Sequence, residues 1–115
     1  MGQVKVARIR ELNDAFRKSP WSGPSALGRT LVTVGIHAHG PEFGLKVLNA
    51  VAGFEKFSGD NYPYGEHDCG NLEVDSEKIY FKIDYYDAEC VYGSQDPSDP
   101  AKTTRVMTIM LASEY

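Results

Sequence analysis

The stretch KIYFKIDYYD at residues 78–87 decides the fold, because apolar and polar residues alternate along its length. Ile79, Phe81, Ile83 and Tyr85 fall on one side of an extended chain. The residues that point to the other side are Lys78, Tyr80, Lys82, Asp84 and Tyr86. Such alternation is typical of an antiparallel sheet that packs one face on a core and leaves the other accessible.

Three further segments have the composition of strands. Residues 71–75 precede the alternating stretch across residues 75–77, and this arrangement predicts a β-hairpin. Residues 29–38 (RTLVTVGIHA) are rich in β-branched side chains. Residues 103–112 (TTRVMTIMLA) form the last predicted strand.

Two segments have the periodicity of amphipathic helices. The first covers residues 4–18 and ends at Ser19-Pro20, because proline disfavours a helical conformation in the residue before it. The second starts at Gly40-Pro41 and ends near Phe57. The apolar stripes consist of Ile9, Leu12 and Phe16 in the first helix, and of Phe43, Val47, Val51 and Phe54 in the second.

These elements predict an α+β fold with the order α-β-α-β-β-β. We expect a two-layer sandwich in which two helices pack on a mainly antiparallel sheet of about four strands. The 115 residues fit a single domain, residues 1–115. With 42% hydrophobic and 24% charged residues, the composition is that of a globular protein that can form a core.

The charge balance narrows the classes of function. A formal net charge of -4, from 16 acidic and 12 basic residues, argues against direct binding of nucleic acid. The first helix carries several basic residues, and a solvated helix face explains them as well as a binding surface does. These residues are Lys5, Arg8, Arg10, Arg17 and Lys18.

The hydropathy pattern and the cysteines indicate the compartment. No apolar run approaches the roughly 20 residues that cross a bilayer, and the first residues are amphipathic rather than secretory in character. Cys69 and Cys90 have no close spacing, so they indicate neither a zinc ribbon nor a disulfide scaffold. We expect a cytoplasmic protein with reduced thiols and no membrane partner.

The polar loop at residues 60–70, DNYPYGEHDCG, is the chemically distinctive stretch of the chain. Its carboxylates, histidine and tyrosines suit acid-base chemistry, metal binding or contact with a partner. An internal network that ties the loop down needs the same groups, so both interpretations stay open. The candidate residues are Asp60, Asn61, Tyr62, Tyr64, Glu66, His67 and Asp68. If the segment is extended, His67 points away from the carboxylates on either side of it.

A second candidate group lies on the outward face of the alternating stretch. Lys82, Asp84 and Tyr86 share that face, and Asp87 follows them. A solvated sheet face needs such residues, but an aromatic and acidic strip beside a polar loop also looks like a recognition surface. We therefore assign these four residues, together with the loop candidates, to partner binding.

The evidence for metal binding and catalysis is weaker. His37 and His39 could hold a metal from one strand face with His67, but their spacing does not require one. Cys69 is a poor nucleophile candidate, because the neighbouring Asp68 carboxylate raises the pKa of a thiol. No GxSxG elbow, Walker loop or GxGxxG fingerprint occurs. We predict no catalytic residue, metal or cofactor.

Five segments carry a resemblance to a known family. They are IRELNDAFR (9–17), YGEHDCG (64–70), FKIDYYD (81–87), SQDPSDP (94–100) and TRVMTIMLASEY (104–115). Together they resemble a bacterial family, domain of unknown function 3768, over almost the whole chain. In that family an aromatic residue usually occupies the position of Cys69, which argues against a catalytic role for this thiol. The family has no established activity, so the resemblance implies none for this chain. It implies a small bacterial protein of a kind often carried on plasmids and other mobile elements.

This context suggests an accessory or anti-defence role, such as an anti-restriction or anti-CRISPR inhibitor. We expect a non-enzymatic, small acidic binding protein that contacts a protein partner through the two candidate groups. The alternative is a small metal-dependent or acid-base hydrolase that uses His67 and neighbouring carboxylates. A third possibility is an oligomer-forming module, since residues 106–111 are apolar on both faces and suit a central strand or pairing with another chain.

Overall fold

The computed structural model describes residues 2–18, 27–57 and 65–115. Its elements in chain order are helix α1 (Gly2–Lys18), strand β1 (Gly28–Val32), helices α2 (Val34–His37) and α3 (Pro41–Ala52), strands β2 (Cys69–Val74), β3 (Glu77–Tyr86) and β4 (Thr104–Leu111), and a 3₁₀ helix (Ala112–Glu114). The predicted α+β class is confirmed. The described residues contain three α-helices rather than two, and the predicted helix stop at Ser19-Pro20 lies outside them.

The four strands form one mixed sheet in the order β1-β4-β3-β2. β3 pairs antiparallel with both β2 and β4, whereas β1 pairs parallel with β4. The prediction of a mainly antiparallel sheet is therefore wrong. A strand's own residues do not encode the direction of its partner, and here the chain between β1 and β4 brings them together in the same direction. The close approach of the β1 backbone to the β4 backbone depends on Gly28, because a Cβ at this position would collide with the main-chain carbonyl of Arg105.

The hairpin of β2 and β3 is confirmed, and its turn is tighter than the sequence indicated. Val74 pairs with Glu77, so the loop consists only of Asp75 and Ser76. Both loop residues have positive φ, 50° and 69°, as in a type I′ turn. This turn matches the right-handed twist of the strands and fixes which residues of β3 face the core.

The first predicted strand is correct only in its first half. β1 ends at Val32, and the following residues form α2 instead of continuing to residue 38. The reason is a tertiary contact: the carboxylate of Glu114 accepts hydrogen bonds from Thr33 Oγ1 at 2.7 Å and from the Gly35 N–H at 3.1 Å. A hydrogen-bond partner at the far end of the chain thus overrides the strand preference of the β-branched residues.

The C-terminal end of α3 is set by an arginine of α1. α3 ends at Ala52 rather than near Phe57. Arg17 is 1% exposed, and its guanidinium donates to the carbonyls of Val51 at 3.2 Å and Phe54 at 2.9 Å. The interpretation of Arg17 as part of a solvated face is wrong, because it caps carbonyl groups at the end of the neighbouring helix.

The alternation predicted for β3 is confirmed. Ile79 and Phe81 have no exposed surface, Ile83 is 3% exposed, and all three belong to the main core cluster. From β4, Met107 and Ile109 join the same cluster. The helical members of the cluster are Phe16, Ile36, Phe43, Val47 and Val51. The arrangement of the helices as one separate layer stays a prediction.

Candidate functional site

Gly65 and Glu66 of the polar loop are attached to α1 by their main chain. Arg10 donates to the Gly65 carbonyl at 2.9 Å, and Asn13 Nδ2 donates to the Glu66 carbonyl at 2.9 Å. The Glu66 side chain turns the same way, where its Oε1 accepts the Tyr85 hydroxyl at 2.7 Å. Glu66 thus belongs to the interior side of β3, the side on which Tyr85 lies.

His67 also contacts α1 rather than open solvent. Its Nδ1 lies 3.0 Å from Asp14 Oδ1, and the same carboxylate oxygen accepts from Arg17 at 3.0 Å. The imidazole stacks on the Phe57 ring, with centroids 3.9 Å apart and planes 5° from parallel. His67 has φ of 57°, so this residue does not have the extended conformation for which its side chain was expected to point away from the neighbouring carboxylates.

A buried polar centre lies beneath the loop. Asn13 and Arg105 have no exposed surface. Arg105 Nε donates to Asn13 Oδ1 at 2.6 Å, and its Nη2 donates to the Pro97 carbonyl at 2.6 Å. Asn13 Nδ2 reaches the Tyr85 hydroxyl at 2.8 Å, and the Arg105 guanidinium lies 5.3 Å from the centroid of the Tyr85 ring. One chain of hydrogen bonds therefore joins α1, β3, β4 and the loop.

Burial governs the titration of this polar centre. It lowers the pKa of Arg105, and it raises the pKa of Tyr85 together with the hydrogen bond that Tyr85 donates to Glu66. The Tyr85 hydroxyl therefore stays protonated and remains a hydrogen-bond donor. Arg105 Nη1 is buried and has no hydrogen-bond partner among the described residues. The hydrogen bond to Asn13 stabilises the buried Arg105 charge. Removing this partner should cost free energy, because a buried guanidinium that loses a hydrogen bond cannot turn to water instead.

The sequence carries a positional signal for these buried polar residues, which a pattern of apolar residues alone does not include. In α1, Ile9, Leu12, Asn13, Phe16 and Arg17 are all buried, and their spacing is that of one helix face. Asn13 and Arg17 therefore lie on the core side by position. In β4, Arg105 has the same parity as the buried Met107 and Ile109, so it faces inward as well.

A different set of candidate residues lies on the outer face of the sheet. Lys82 Nζ and Asp84 Oδ2 form an ion pair at 3.0 Å, with side chains 38% and 40% exposed. Tyr86 follows on the same face and pairs with Thr104 of β4. We call Lys82, Asp84 and Tyr86 the outer strip. The hydrogen bond to Asp84 is the main cause that raises the pKa of Lys82, and the charge of Asp84 adds to it, so Lys82 stays charged.

Cys69 extends the outer strip towards β2, and Asp68 precedes it in the chain. Cys69 lies opposite Lys82 in the sheet. Burial, and then the Asp84 charge, raises the pKa of Asp68. Burial, followed by the charge of Asp68, raises the pKa of the Cys69 thiol, in agreement with the expectation of a poor nucleophile. Both cysteines are free.

The structure thus divides the predicted site residues between two environments. Glu66 and His67 contact α1, while Lys82, Asp84 and Tyr86 lie at the outer face. Asp68 follows His67, and its main-chain carbonyl accepts the Ile83 N–H at 2.7 Å. Asp87 belongs to the turn after β3, where its Oδ1 accepts the Val91 N–H at 2.9 Å. The predicted site residues outside the described part of the chain are Asp60, Asn61, Tyr62 and Tyr64.

The histidines do not form the arrangement considered for metal binding. His37 ends α2 and His39 follows that helix, so the two do not share a strand face as supposed. Within residues 2–18, 27–57 and 65–115, no group of three His, Cys, Asp or Glu side chains could hold a metal ion. In the same described ranges, no helix has the length and apolar composition needed to cross a membrane.

The fold and these surfaces define a small α+β domain with a buried polar centre and an accessible, polar strand face. A family model described as "Protein of unknown function (DUF3768)" matches residues 32–114, and the chain belongs to this family. The resemblance found in the sequence is thereby confirmed over residues 32–114, and it carries no established activity; the segment IRELNDAFR (9–17) lies outside the match. No curated protein and no solved structure matches the chain. The match excludes α1, which supplies Asn13 and Asp14 to the contacts described above.

Proposed function

We propose that this protein is a non-enzymatic binding protein that contacts a protein partner through the outer strip. The observation that carries the proposal is the accessibility of Lys82 and Asp84, which keep 38% and 40% of their side-chain surface exposed beside Tyr86. Tyrosine is favoured at interfaces because it offers a large contact area and a hydroxyl at low entropic cost. The strip lies on a regular strand, which presents it in a defined geometry.

The engagement of Glu66 and His67 supports binding over catalysis. A general acid or base needs a proton or lone pair available to a substrate. The Glu66 carboxylate accepts the Tyr85 hydroxyl, and His67 Nδ1 is 3.0 Å from Asp14 while its ring is stacked on Phe57. These contacts attach the loop to the domain. No observation on the described residues favours the hydrolase alternative.

The overall charge of the chain favours a partner with a basic surface. At a net charge of -4, complementary potentials speed the encounter with such a surface. The mobile-element context implied by the family resemblance makes an accessory or anti-defence role the biological setting that we propose. The protein would inhibit a restriction or CRISPR component by occupying its surface.

The test is affinity capture of proteins from cells that naturally express this chain, followed by reconstitution with the purified partner. We expect Asp84→Lys and Tyr86→Ala each to weaken the reconstituted complex at least about tenfold, as is typical of residues at the centre of an interface. The measurement is the Kd by calorimetry, with the circular dichroism of each variant confirming its fold.

Glu42→Lys is the matched control, because it makes the same reversal of charge at an exposed position of α3. It should leave the Kd within about twofold of the wild-type value. Failure to recover a specific partner, or recovery of one whose Kd neither strip variant changes, contradicts the proposal. Equal weakening by Glu42→Lys would show that net charge, rather than the outer strip, determines the affinity.

A further inference from the structure

A cavity of about 410 Å³ opens where the chain leaves β3, next to the outer strip. Asp87, Glu89, Tyr92 and Lys102 are among the residues that line it. The volume lies within the range of about 300–1,000 Å³ found for ligand pockets, and it is ample for one long side chain. The lining combines two carboxylates, a phenol ring and one ammonium group.

The loop at residues 87–93, which forms one wall of the cavity, is held by its own hydrogen bonds. The Asp87 N–H donates to the Tyr92 carbonyl at 2.7 Å, and the Cys90 N–H donates to the Asp87 carbonyl at 3.0 Å. The Asp87 carboxylate accepts the Val91 N–H through Oδ1, and its second oxygen offers further acceptor capacity. The wall is therefore preorganised, which reduces the entropic cost of binding.

This ordered loop exposes two adjacent side chains with large apolar surfaces. Val91 is 63% exposed and Tyr92 is 74% exposed. Exposed apolar groups that a rigid backbone holds at the rim of a cavity are typical of protein interfaces. They extend the contact area beyond the cavity, and Asp87 connects this area directly to Tyr86 of the outer strip.

We propose that this cavity receives an arginine side chain of a protein partner, while Val91 and Tyr92 contact apolar groups beside that arginine. The proposal rests on the binding function proposed above and names the chemistry of the partner. A planar guanidinium matches carboxylate oxygens and stacks on an aromatic ring, and Asp87, Glu89 and Tyr92 supply these groups. Two carboxylates and one ammonium leave the lining with a formal charge of -1, which favours a cation over an anion.

The test is a titration of the full-length, ¹⁵N-labelled protein with the tripeptide amide acetyl-Leu-Arg-Leu. The control peptide carries citrulline in place of arginine, because citrulline keeps the shape and removes the charge. We expect the amide signals of residues 88–93 and 101–102 to shift in a saturable way with the arginine peptide at millimolar concentration. The citrulline peptide should bind at least about fivefold more weakly.

Three variants at the cavity test the sign of the charge and the role of the ring. Glu89→Gln and Tyr92→Ala should each weaken binding of the arginine peptide about two- to fivefold. Lys102→Gln should strengthen it by a similar factor, because it removes a like charge. All three residues are exposed, so the dispersion of the amide spectrum should stay that of the folded wild type.

Several results overturn the inference. These are the absence of saturable shifts, equal affinity for the citrulline peptide, or weaker binding of the arginine peptide after Lys102→Gln. Equal affinity for acetylarginine amide without leucines would assign the cavity to a small cation instead of a protein. Glu42→Lys, at an exposed position of α3 that does not line the cavity, should leave the tripeptide titration unchanged within about twofold. The tripeptide titration and the Kd of the captured partner are separate measurements, so failure of one is distinguishable from failure of the other.

Discussion

Tyr85 and Tyr86 are neighbours in β3, yet they lie in opposite environments. The Tyr85 hydroxyl donates to Glu66 and accepts from Asn13 beneath the polar loop. Tyr86 lies on the opposite face, in line with the half-exposed Lys82 and Asp84. Two copies of one residue type thus serve different purposes, and only their parity in the strand distinguishes them.

The difference in burial determines what each region tolerates. In the buried polar centre, a donor or acceptor that loses its partner cannot turn to water, so its removal costs the full desolvation penalty. In the outer strip, water replaces a lost partner. Substitutions in the first region should therefore act on stability, whereas those in the second should act on binding.

The largest effect on stability is expected for Asn13→Ala. This change removes the acceptor of Arg105 Nε and the donor to both Tyr85 and the Glu66 carbonyl. We expect the free energy of unfolding to fall by about 3 kcal/mol, because a buried charge and a buried hydroxyl each lose a partner. Urea denaturation followed by circular dichroism measures it.

Asp84→Ala is the control for Asn13→Ala, since it removes a polar group from the half-exposed outer strip. Its effect on the free energy of unfolding should stay below about 0.5 kcal/mol. A loss above about 2 kcal/mol would show that the outer strip supports the fold, and the contrast between the two regions would then fail.

The adjacent tyrosines offer the closest comparison. Tyr85→Phe removes a hydroxyl that makes two hydrogen bonds, at 2.7 Å to Glu66 and 2.8 Å to Asn13. We expect it to lower the free energy of unfolding by about 1–2 kcal/mol, whereas Tyr86→Phe should change it by less than about 0.5 kcal/mol. Equal losses from the two variants would contradict the assignment of opposite environments.

A smaller effect depends on pH and concerns Asp68. Burial, and then the charge of Asp84, raises the pKa of Asp68 in the folded chain. The folded state therefore holds this proton more tightly than the unfolded state, and stability is lost as the pH rises from the ordinary aspartate pKa, about 4, through the raised value.

Asp68→Asn should remove this loss. The free energy of unfolding of the variant minus that of the wild type should be larger at pH 7 than at pH 3. Urea denaturation of both proteins at the two pH values measures this difference. Asp84→Asn should shift the Asp68 pKa downward only in part, because burial is the larger cause. An Asp68 carboxyl that titrates below the ordinary range by NMR would contradict the expectation.

The smallest effect is expected for Lys82→Ala. The ion pair with Asp84 at 3.0 Å is more than one-third exposed on each side, and pairs of this kind contribute less than about 0.5 kcal/mol. A double-mutant cycle of Lys82→Ala with Asp84→Ala measures the coupling. A coupling above about 1 kcal/mol would place the pair in a more buried setting than its exposure indicates.

The hairpin and the core side of β3 could be predicted from the sequence because both depend on local patterns. Alternation selected Ile79, Phe81 and Ile83 as core residues, and all three are buried. β4 was also predicted to within one residue at each end. It lies between β1 and β3, the central position that its apolar character on both faces permitted.

The predictions failed where a distant residue supplies a hydrogen bond. α2 replaces the second half of a predicted strand, since Glu114 binds Thr33 and Gly35 from the other end of the chain. Likewise, α3 ends early because Arg17 takes the carbonyls of Val51 and Phe54. Neither partner is a neighbour in sequence, so no local pattern announces the contact.

The sequence by itself determined the α+β class and which face of β3 is apolar, because periodicity follows directly from the geometry of helix and strand. It also determined the family, through the resemblance of its segments to known members. Only the tertiary structure decided that β1 runs parallel to β4 and that Glu66 and His67 turn towards α1 rather than join the outer strip. Glu66 and His67 contact α1 because Asn13 and Asp14 lie within hydrogen-bonding distance of them. Such contacts arise from the packing of elements that are far apart in the chain.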